Sequence, residues 1–155
     1  ELIVRRGWNL TLVLSELDRY DLAYMEAFEL FDNKFFIKLK YTKQVSQNEL
    51  KSLHSKLIGA LCDKNEAKIK AVKILENELK INASYLENIA KIGINAKDAQ
   101  GFMAFVLSIL DKCDFKLSDA RIQTIKNRTR NVFLIHKDKD FDKKIAQFKE
   151  YLINE

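Results

Sequence analysis

The sequence predicts a mainly α-helical protein, a helical bundle with a small N-terminal β addition in the form of a hairpin or a strand. The 155-residue chain has no proline and only four glycines, and both residues are unfavourable inside helices. From residue 46 onward, apolar residues recur at helical spacing. We therefore expect residues 46–155 to form the bundle, and residues 1–45 to form a small αβ lobe or the tail of a preceding domain.

The first 45 residues combine strand and helix patterns. Apolar and β-branched residues on both sides of Gly7 predict strand–turn–strand over residues 2–14, with a helix that begins at Trp8 as the alternative. A helix is expected over residues 15–32, because a serine that favours a helix start precedes apolar residues at helical spacing. Alternation of apolar and polar residues predicts a short strand over residues 36–42, with one solvated face.

The remainder of the chain has the pattern of successive amphipathic helices. Ser46 and Ser84 are each followed three positions later by glutamate, the spacing of a capping box. Gly93 is expected to end the second of these helices, and Asn95 and Ser118 favour two further helix starts. The apolar stripes then predict helices over residues 46–61, 67–79, 84–92, 96–112, 118–133 and 141–152.

Charge is concentrated late in the chain. The formal net charge is +5, but residues 112–149 contain eleven lysines and arginines against five aspartates, and the remainder is nearly neutral. Within this region, residues 120–137 contain no acidic residue. A local basic zone is an expected footprint of nucleic-acid binding, although it is also common on a solvated helix face.

Several classes of site are not supported by the sequence. Cys62 and Cys113 lack metal-binding spacing, so we expect buried thiols in a reducing cytoplasm. His54 lies beside an apolar stripe and is expected to be a partly buried structural residue. We expect no metal and no cofactor, and the absence of a long apolar run or signal peptide predicts no membrane association. The first residue is glutamate, which fits a fragment of a longer protein or a processed tag.

The candidate catalytic residues are Arg130, Asn131 and His136, inside the acid-free segment. Histidine titrates near neutral pH and can transfer protons. Arginine keeps its charge and offers a fork of donors to phosphate oxygens. RNA-cleaving sites can use this combination, and the basic residues Lys126, Arg128 and Lys137 flank it.

The arrangement of Arg130 and Asn131, with His136 after four further residues, resembles the motif of the HEPN superfamily, within roughly residues 46–155. The resemblance implies an all-helical homodimer, a metal-independent endoribonuclease of a defence, CRISPR-accessory or toxin–antitoxin system, and a possible antitoxin or regulatory partner. It also implies proton transfer by His136 at the 2′-hydroxyl or leaving oxygen, neutralisation of the phosphate by Arg130, and orientation of one of them by Asn131. On the same resemblance, Lys126, Arg128 and Lys137 are the predicted RNA-binding residues. A 2′,3′-cyclic phosphate would result, so RNA would be cut and DNA spared.

Helical geometry complicates this interpretation. On an unbroken helix, Arg130 and His136 point about 120° apart with about 9 Å between them along the axis. They meet at one phosphate only if the helix ends near Leu134 or a second subunit completes the site. The alternative function is a non-catalytic helical module that binds protein or nucleic acid within a larger machine, such as a replication or secretion assembly. In that case His136 would cap a helix C-terminus.

Overall fold

The computed structural model describes residues 2–5, 11, 22–30, 34–42, 44, 46–62 and 69–154. Within these residues, seven strands form one antiparallel sheet in the order β1-β3-β2-β6-β7-β5-β4. The strands are β1 (Leu2–Arg5), β2 (Leu22–Glu29), β3 (Lys34–Tyr41), β4 (Leu79–Asn82), β5 (Ile89–Lys97), β6 (Leu117–Ile125) and β7 (Arg128–His136). The helices are α1 (Gln47–Cys62), α2 (Phe102–Lys112) and α3 (Phe141–Asn154), and a 3₁₀ turn covers Glu76–Glu78.

The prediction of a mainly α-helical bundle is therefore wrong, and so is the all-helical fold that the HEPN resemblance implies. The predicted boundary at 45/46 falls between β3 and α1, and strands from both sides of it belong to the same sheet, since β2 pairs with β6.

The clearest error concerns residues 118–133, which form most of the β6–β7 hairpin instead of a helix. Lys126 and Asn127 connect the strands with φ angles of 47° and 64°, the left-handed conformation of a two-residue hairpin turn. Along β7, buried and less buried residues alternate through Phe133 and Ile135, which is the period of a strand. The pairing with neighbouring strands overrides a local apolar spacing that also fits a helix.

Three other predicted helices are also corrected. Residues 22–29 form β2 instead of the second half of a helix, and the earlier part of that prediction is largely outside the described residues. Residues 69–75 are irregular and lead into the 3₁₀ turn and β4. The Ser84 backbone N–H donates to Asn82 Oδ1 at 3.0 Å, so this serine belongs to the turn between β4 and β5 instead of starting a helix.

Asn95 does not start a helix, because it lies in β5 and the following helix begins only at Phe102. Several other local predictions agree with the structure where it describes them. Strand β3 covers most of residues 36–42, and residues 2–5 form β1, while Gly7 and Trp8 lie outside the described residues. The Ser46–Glu49 capping box begins α1, with Glu49 Oε2 accepting from the Ser46 backbone N–H at 2.8 Å. Helix α3 is confirmed, and α2 is confirmed from Phe102 onward.

One face of the sheet is covered by helices. Eight consecutive or near-consecutive residues of α2 are buried in the core, together with Phe148 and Leu152 of α3 and the inward residues of β5, β6 and β7. The Phe148 ring meets Phe115 edge-on, with 6.0 Å between the ring centroids. No helix among the described residues is long and apolar enough to cross a membrane.

Candidate nucleic-acid interface

The opposite face of the sheet carries no described helix, and we call it the open face. Because side chains alternate along a strand and paired residues share a face, its members follow from the strand register. They are Ile3 on β1; Tyr24, Glu26 and Phe28 on β2; Lys34, Phe36, Lys38 and Lys40 on β3; Lys80 and Asn82 on β4; Ile89, Lys91, Gly93, Asn95 and Lys97 on β5; Asp119, Arg121, Gln123 and Ile125 on β6; and Arg128, Arg130, Val132, Leu134 and His136 on β7. None of these residues is fully buried.

The open face is strongly basic. Among the residues whose side chains are described, its strand positions carry two acidic side chains, Glu26 and Asp119, and nine basic ones: Lys34, Lys38, Lys40, Lys80, Lys91, Lys97, Arg121, Arg128 and Arg130. The resulting excess of seven positive charges is larger than the net charge of +5 for the whole chain. A field of this sign attracts polyanions and speeds their association.

Few of these cations are neutralised locally. Arg121 pairs with Glu26 at 3.1 Å, and Arg128 lies 3.6 Å from Glu78. The other seven basic residues of the open face have no acidic partner among the described residues. Their charge is therefore available to a ligand, whereas the two exposed pairs contribute little to stability.

A shallow groove of about 500 Å³ lies where β4, β5 and β7 meet, and we call it the Gly93 groove. Lys80, Arg128 and Arg130 line it together with Gly93, Asn95 and Val132. Arg128 is held in place, because its Nη2 donates to the Asn95 carbonyl oxygen at 2.8 Å and its Nε donates to Asn95 Oδ1 at 3.3 Å. The groove therefore presents a fixed guanidinium beside two cations without acidic partners.

An aromatic patch lies on the same face, on β2 and β3. The rings of Phe28 and Phe36 have centroids 5.1 Å apart, and Phe28 is 36% exposed. Tyr24 lies four residues before Phe28 on the same face of β2, and its pKa is raised by loss of hydration and by the nearby Glu26 carboxylate. Exposed aromatic faces on a sheet are surfaces on which unpaired bases stack.

The three predicted catalytic residues are separated. Arg130 and His136 both lie on the open face, but six residues of extended strand place them about 20 Å apart. Asn131 is on the helix-covered face, where it is 2% exposed. Its Oδ1 accepts from Thr129 Oγ1 at 3.0 Å, and its Nδ2 donates to the Ile94 carbonyl oxygen at 3.4 Å. Asn131 also borders the Gly93 groove, but its side chain makes these buried hydrogen bonds. Asn131 is therefore a core residue that bridges strands β5 and β7.

His136 has a partner that the sequence did not indicate. Its Nε2 lies 3.0 Å from Glu29 Oε2, and the two side chains are 40% and 28% exposed. A carboxylate in this position fixes the orientation of the imidazole ring. The predicted structural residue His54 is instead exposed on α1.

The predicted RNA-binding residues have different surroundings. Arg128 lines the Gly93 groove, and Lys126 is exposed in the β6–β7 turn. Lys137 Nζ donates to the Ala83 carbonyl oxygen at 3.0 Å and so braces the β4–β5 turn. Of this predicted set, only Arg128 joins Arg130 in a concave surface.

Most of the basic residues of the open face were missed at the sequence level. Lys38 and Lys40 alternate with apolar residues in a segment predicted to have one solvated face, so that pattern contained the necessary information. Lys91 and Lys97 lie on β5, where helices were expected, and Lys80 lies on β4, directly after a predicted helix. Only the strand pairing brings Lys80 and Lys97 beside Arg128 and Arg130.

Neither a search for metal sites nor a comparison with known proteins assigns a role to these residues. Among the described residues, no group of three or more histidine, cysteine, aspartate or glutamate side chains is arranged to hold a metal ion. No family model matches the chain, and no curated protein matches it.

Proposed function

We propose that the open face binds single-stranded RNA. The observation that carries this proposal is the coincidence of an excess of seven positive charges with the exposed Phe28–Phe36 ring pair on one side of the sheet. Phosphate neutralisation supplies affinity, and base stacking on aromatic rings supplies a preference for unpaired strands. Bases in a duplex are stacked on one another, so they are not free to stack on these rings.

The dimensions of the sheet suit an extended strand. Lys40, Tyr24, Gln123, Arg130 and Asn95 lie side by side on β3, β2, β6, β7 and β5. At about 4.8 Å between neighbouring strands, this row spans about 19 Å. A single RNA strand that follows the row passes from Tyr24, at one end of the aromatic patch, to the Gly93 groove. The Phe28–Phe36 pair lies about 13 Å from Tyr24 along β2 and β3, within reach of a longer RNA.

Binding is tested by titrating fluorescently labelled single-stranded RNA and a duplex of the same sequence with the protein, at several salt concentrations. We expect tighter binding of the single strand, with affinity that falls as salt rises. Equal affinity for both RNAs would remove the stacking argument. Absence of binding at low salt would refute the proposal.

A second candidate function is metal-independent cleavage of the bound RNA. The contact between His136 and Glu29 favours it, because a carboxylate-paired histidine suits proton transfer. His136 would take the 2′-hydroxyl proton or give a proton to the leaving 5′-oxygen, while the 2′-oxygen attacks phosphorus and forms the cyclic phosphate. Arg130, about 20 Å away, would hold another phosphate of the same strand. A homodimer and an antitoxin or regulatory partner stay predictions of the HEPN resemblance.

Cleavage is tested by incubating labelled RNA with the wild type, His136→Ala and Glu29→Gln in the presence of EDTA. We expect the wild type to produce fragments that end in a cyclic phosphate, and both variants to lose this activity while their circular dichroism is unchanged. Equal cutting by all three proteins would identify a contaminant. No cutting by a protein that binds the RNA would leave binding as the function.

A further inference from the structure

Gly93 occupies the middle of β5, where a glycine normally weakens a strand because it is flexible and has no side chain to pack. A Cβ at this position would lie 3.7 Å from the Lys80 carbonyl oxygen and 4.0 Å from the Lys80 Cβ. These are ordinary van der Waals distances, so packing within the protein leaves room for a side chain. Glycine in a strand interior often marks the close approach of a ligand.

Because Gly93 has no side chain, the surface of the Gly93 groove is not covered at this position. The volume of about 500 Å³ is within the range of pockets that hold small ligands. Gly93 and Val132 are paired neighbours on β5 and β7 and give the groove an apolar floor. Lys80, Arg128 and Arg130 also line the groove, together with the Glu78 carboxylate. An apolar floor with cations at its edge fits a ring that carries a phosphate.

We propose that the Gly93 groove holds one nucleotide of the bound strand, a proposal that rests on the function proposed above. The base lies on Gly93 and Val132, and its phosphate contacts Arg130 and Lys80, which have no acidic partner among the described residues. Asn95 also lines the groove and offers amide hydrogen bonds to a base edge.

Glu78 gives the groove a preference among anions. Its Oε1 lies 3.6 Å from Arg128 Nη2, and its Oε2 accepts from the Leu75 backbone N–H at 3.0 Å. This fixed carboxylate offsets part of the charge of Arg128. The groove therefore suits the single negative charge of a phosphodiester better than a doubly charged inorganic phosphate.

The proposal is tested by substitutions that place a side chain at position 93, inside the groove. Three ligands are titrated against the wild type, Gly93→Ala and Gly93→Val, with Phe28→Ala as a variant outside the groove. They are the methyl ester of adenosine 5′-monophosphate, a nucleotide whose phosphodiester carries one negative charge, inorganic phosphate, and single-stranded RNA. We expect Gly93→Val to weaken binding of the nucleotide and of RNA by roughly tenfold or more, the scale of one misplaced methyl or methylene group in a fitted pocket. Gly93→Ala should be intermediate. Phe28→Ala should weaken RNA binding and leave nucleotide binding unchanged.

Each outcome separates this inference from the proposed function. If the wild type and Gly93→Val bind RNA equally, the nucleotide site is refuted and RNA binding stands. If inorganic phosphate binds as tightly as the nucleotide, the groove is a general anion site and the inference is wrong. If the wild type binds the nucleotide and no RNA, the proposed function fails. Thermal denaturation checks the fold of each variant. If Gly93→Val disturbs the strand, Gly93→Ala still tests the site, because a Cβ at this position meets its neighbours at ordinary van der Waals distances.

Discussion

Arg130 and His136 lie on the same exposed face of β7, about 20 Å apart along the strand. Arg130 lines the Gly93 groove near Lys80, whereas His136 contacts Glu29 near the other end of the strand. Each residue therefore meets a different part of a ligand that lies on the open face. The two side chains should contribute separably to binding and to any cleavage.

We predict that Arg130→Ala weakens binding of single-stranded RNA by about tenfold at physiological salt, the scale of one lost charged contact. The salt dependence of the binding constant should also become shallower, by about 0.7 in its log–log slope for each lost phosphate contact. His136→Ala should change the affinity by less than about twofold. Fluorescence anisotropy across a salt series measures both effects. Equal losses in the two variants would show that the sites are not separate.

Asn131→Ala should affect stability without affecting the interface. The substitution removes the partner of buried Thr129 and the hydrogen bond to the Ile94 carbonyl oxygen, which costs about 1–3 kcal/mol of unfolding free energy. Urea denaturation measures the loss, and the folded variant should bind RNA with wild-type affinity. A loss of affinity with unchanged stability would instead place Asn131 in the binding site.

Asp119→Asn should improve both stability and binding. Partial burial raises the pKa of Asp119, the Glu26 carboxylate adds to this shift, and Arg121 opposes it. Because the folded-state pKa is above the ordinary value of 3.8, ionisation of Asp119 lowers stability as the pH rises from that value through the raised pKa. The amide should abolish this loss and, at neutral pH, raise RNA affinity by removing a negative charge. Parallel pH profiles of melting temperature in the two proteins would contradict the prediction.

Lys144→Met tests the opposite side of the molecule. Lys144 Nζ donates to Asp138 Oδ2 at 2.6 Å and to the Asp114 carbonyl oxygen at 2.9 Å, so it ties α3 to the turn after α2. The hydrogen bond from Lys144 holds the pKa of Asp138 below its ordinary value of 3.8. The associated stability is present above pH 3.8 and is lost as the pH falls through the lowered pKa.

We therefore expect Lys144→Met to melt at a lower temperature at neutral pH and to lose less further stability on acidification. Melting temperatures between neutral pH and pH 2 measure this difference. RNA affinity should be unchanged, because α3 lies on the helix-covered face of the sheet. An acid limb identical to that of the wild type would show that Lys144 and Asp138 are not coupled.

Local sequence patterns determined some elements correctly. The Ser46–Glu49 capping box, the apolar stripe of α3 and the alternation in β3 are all interactions or patterns within a few residues. The β6–β7 hairpin was missed because its turn is Lys126-Asn127, without the glycine that usually marks such turns. Ile122, Ile125, Val132 and Phe133 also fit a helical stripe, and only pairing with distant strands excludes it.

The candidate site likewise combines residues that local sequence patterns indicate with residues that only distant strand pairing brings together. Arg128 and Arg130 could be predicted because they lie close together in an acid-free segment. Lys80 and Gly93 come from strands β4 and β5, and their position beside Arg130 depends on the register of three strands. Because helices were predicted where these strands lie, the pairing of the strands was not predicted. The groove that this pairing forms could therefore not be inferred from the sequence.

The most direct test of RNA binding by the open face compares two double variants with the same loss of charge. Lys80→Ala with Arg130→Ala removes two cations from the Gly93 groove, and Lys143→Ala with Lys149→Ala removes two exposed cations from α3. Affinity for labelled single-stranded RNA is measured by anisotropy at physiological salt. The account predicts a loss of at least about tenfold for the groove variant and less than about twofold for the α3 variant. Equal affinities of the two variants would contradict it.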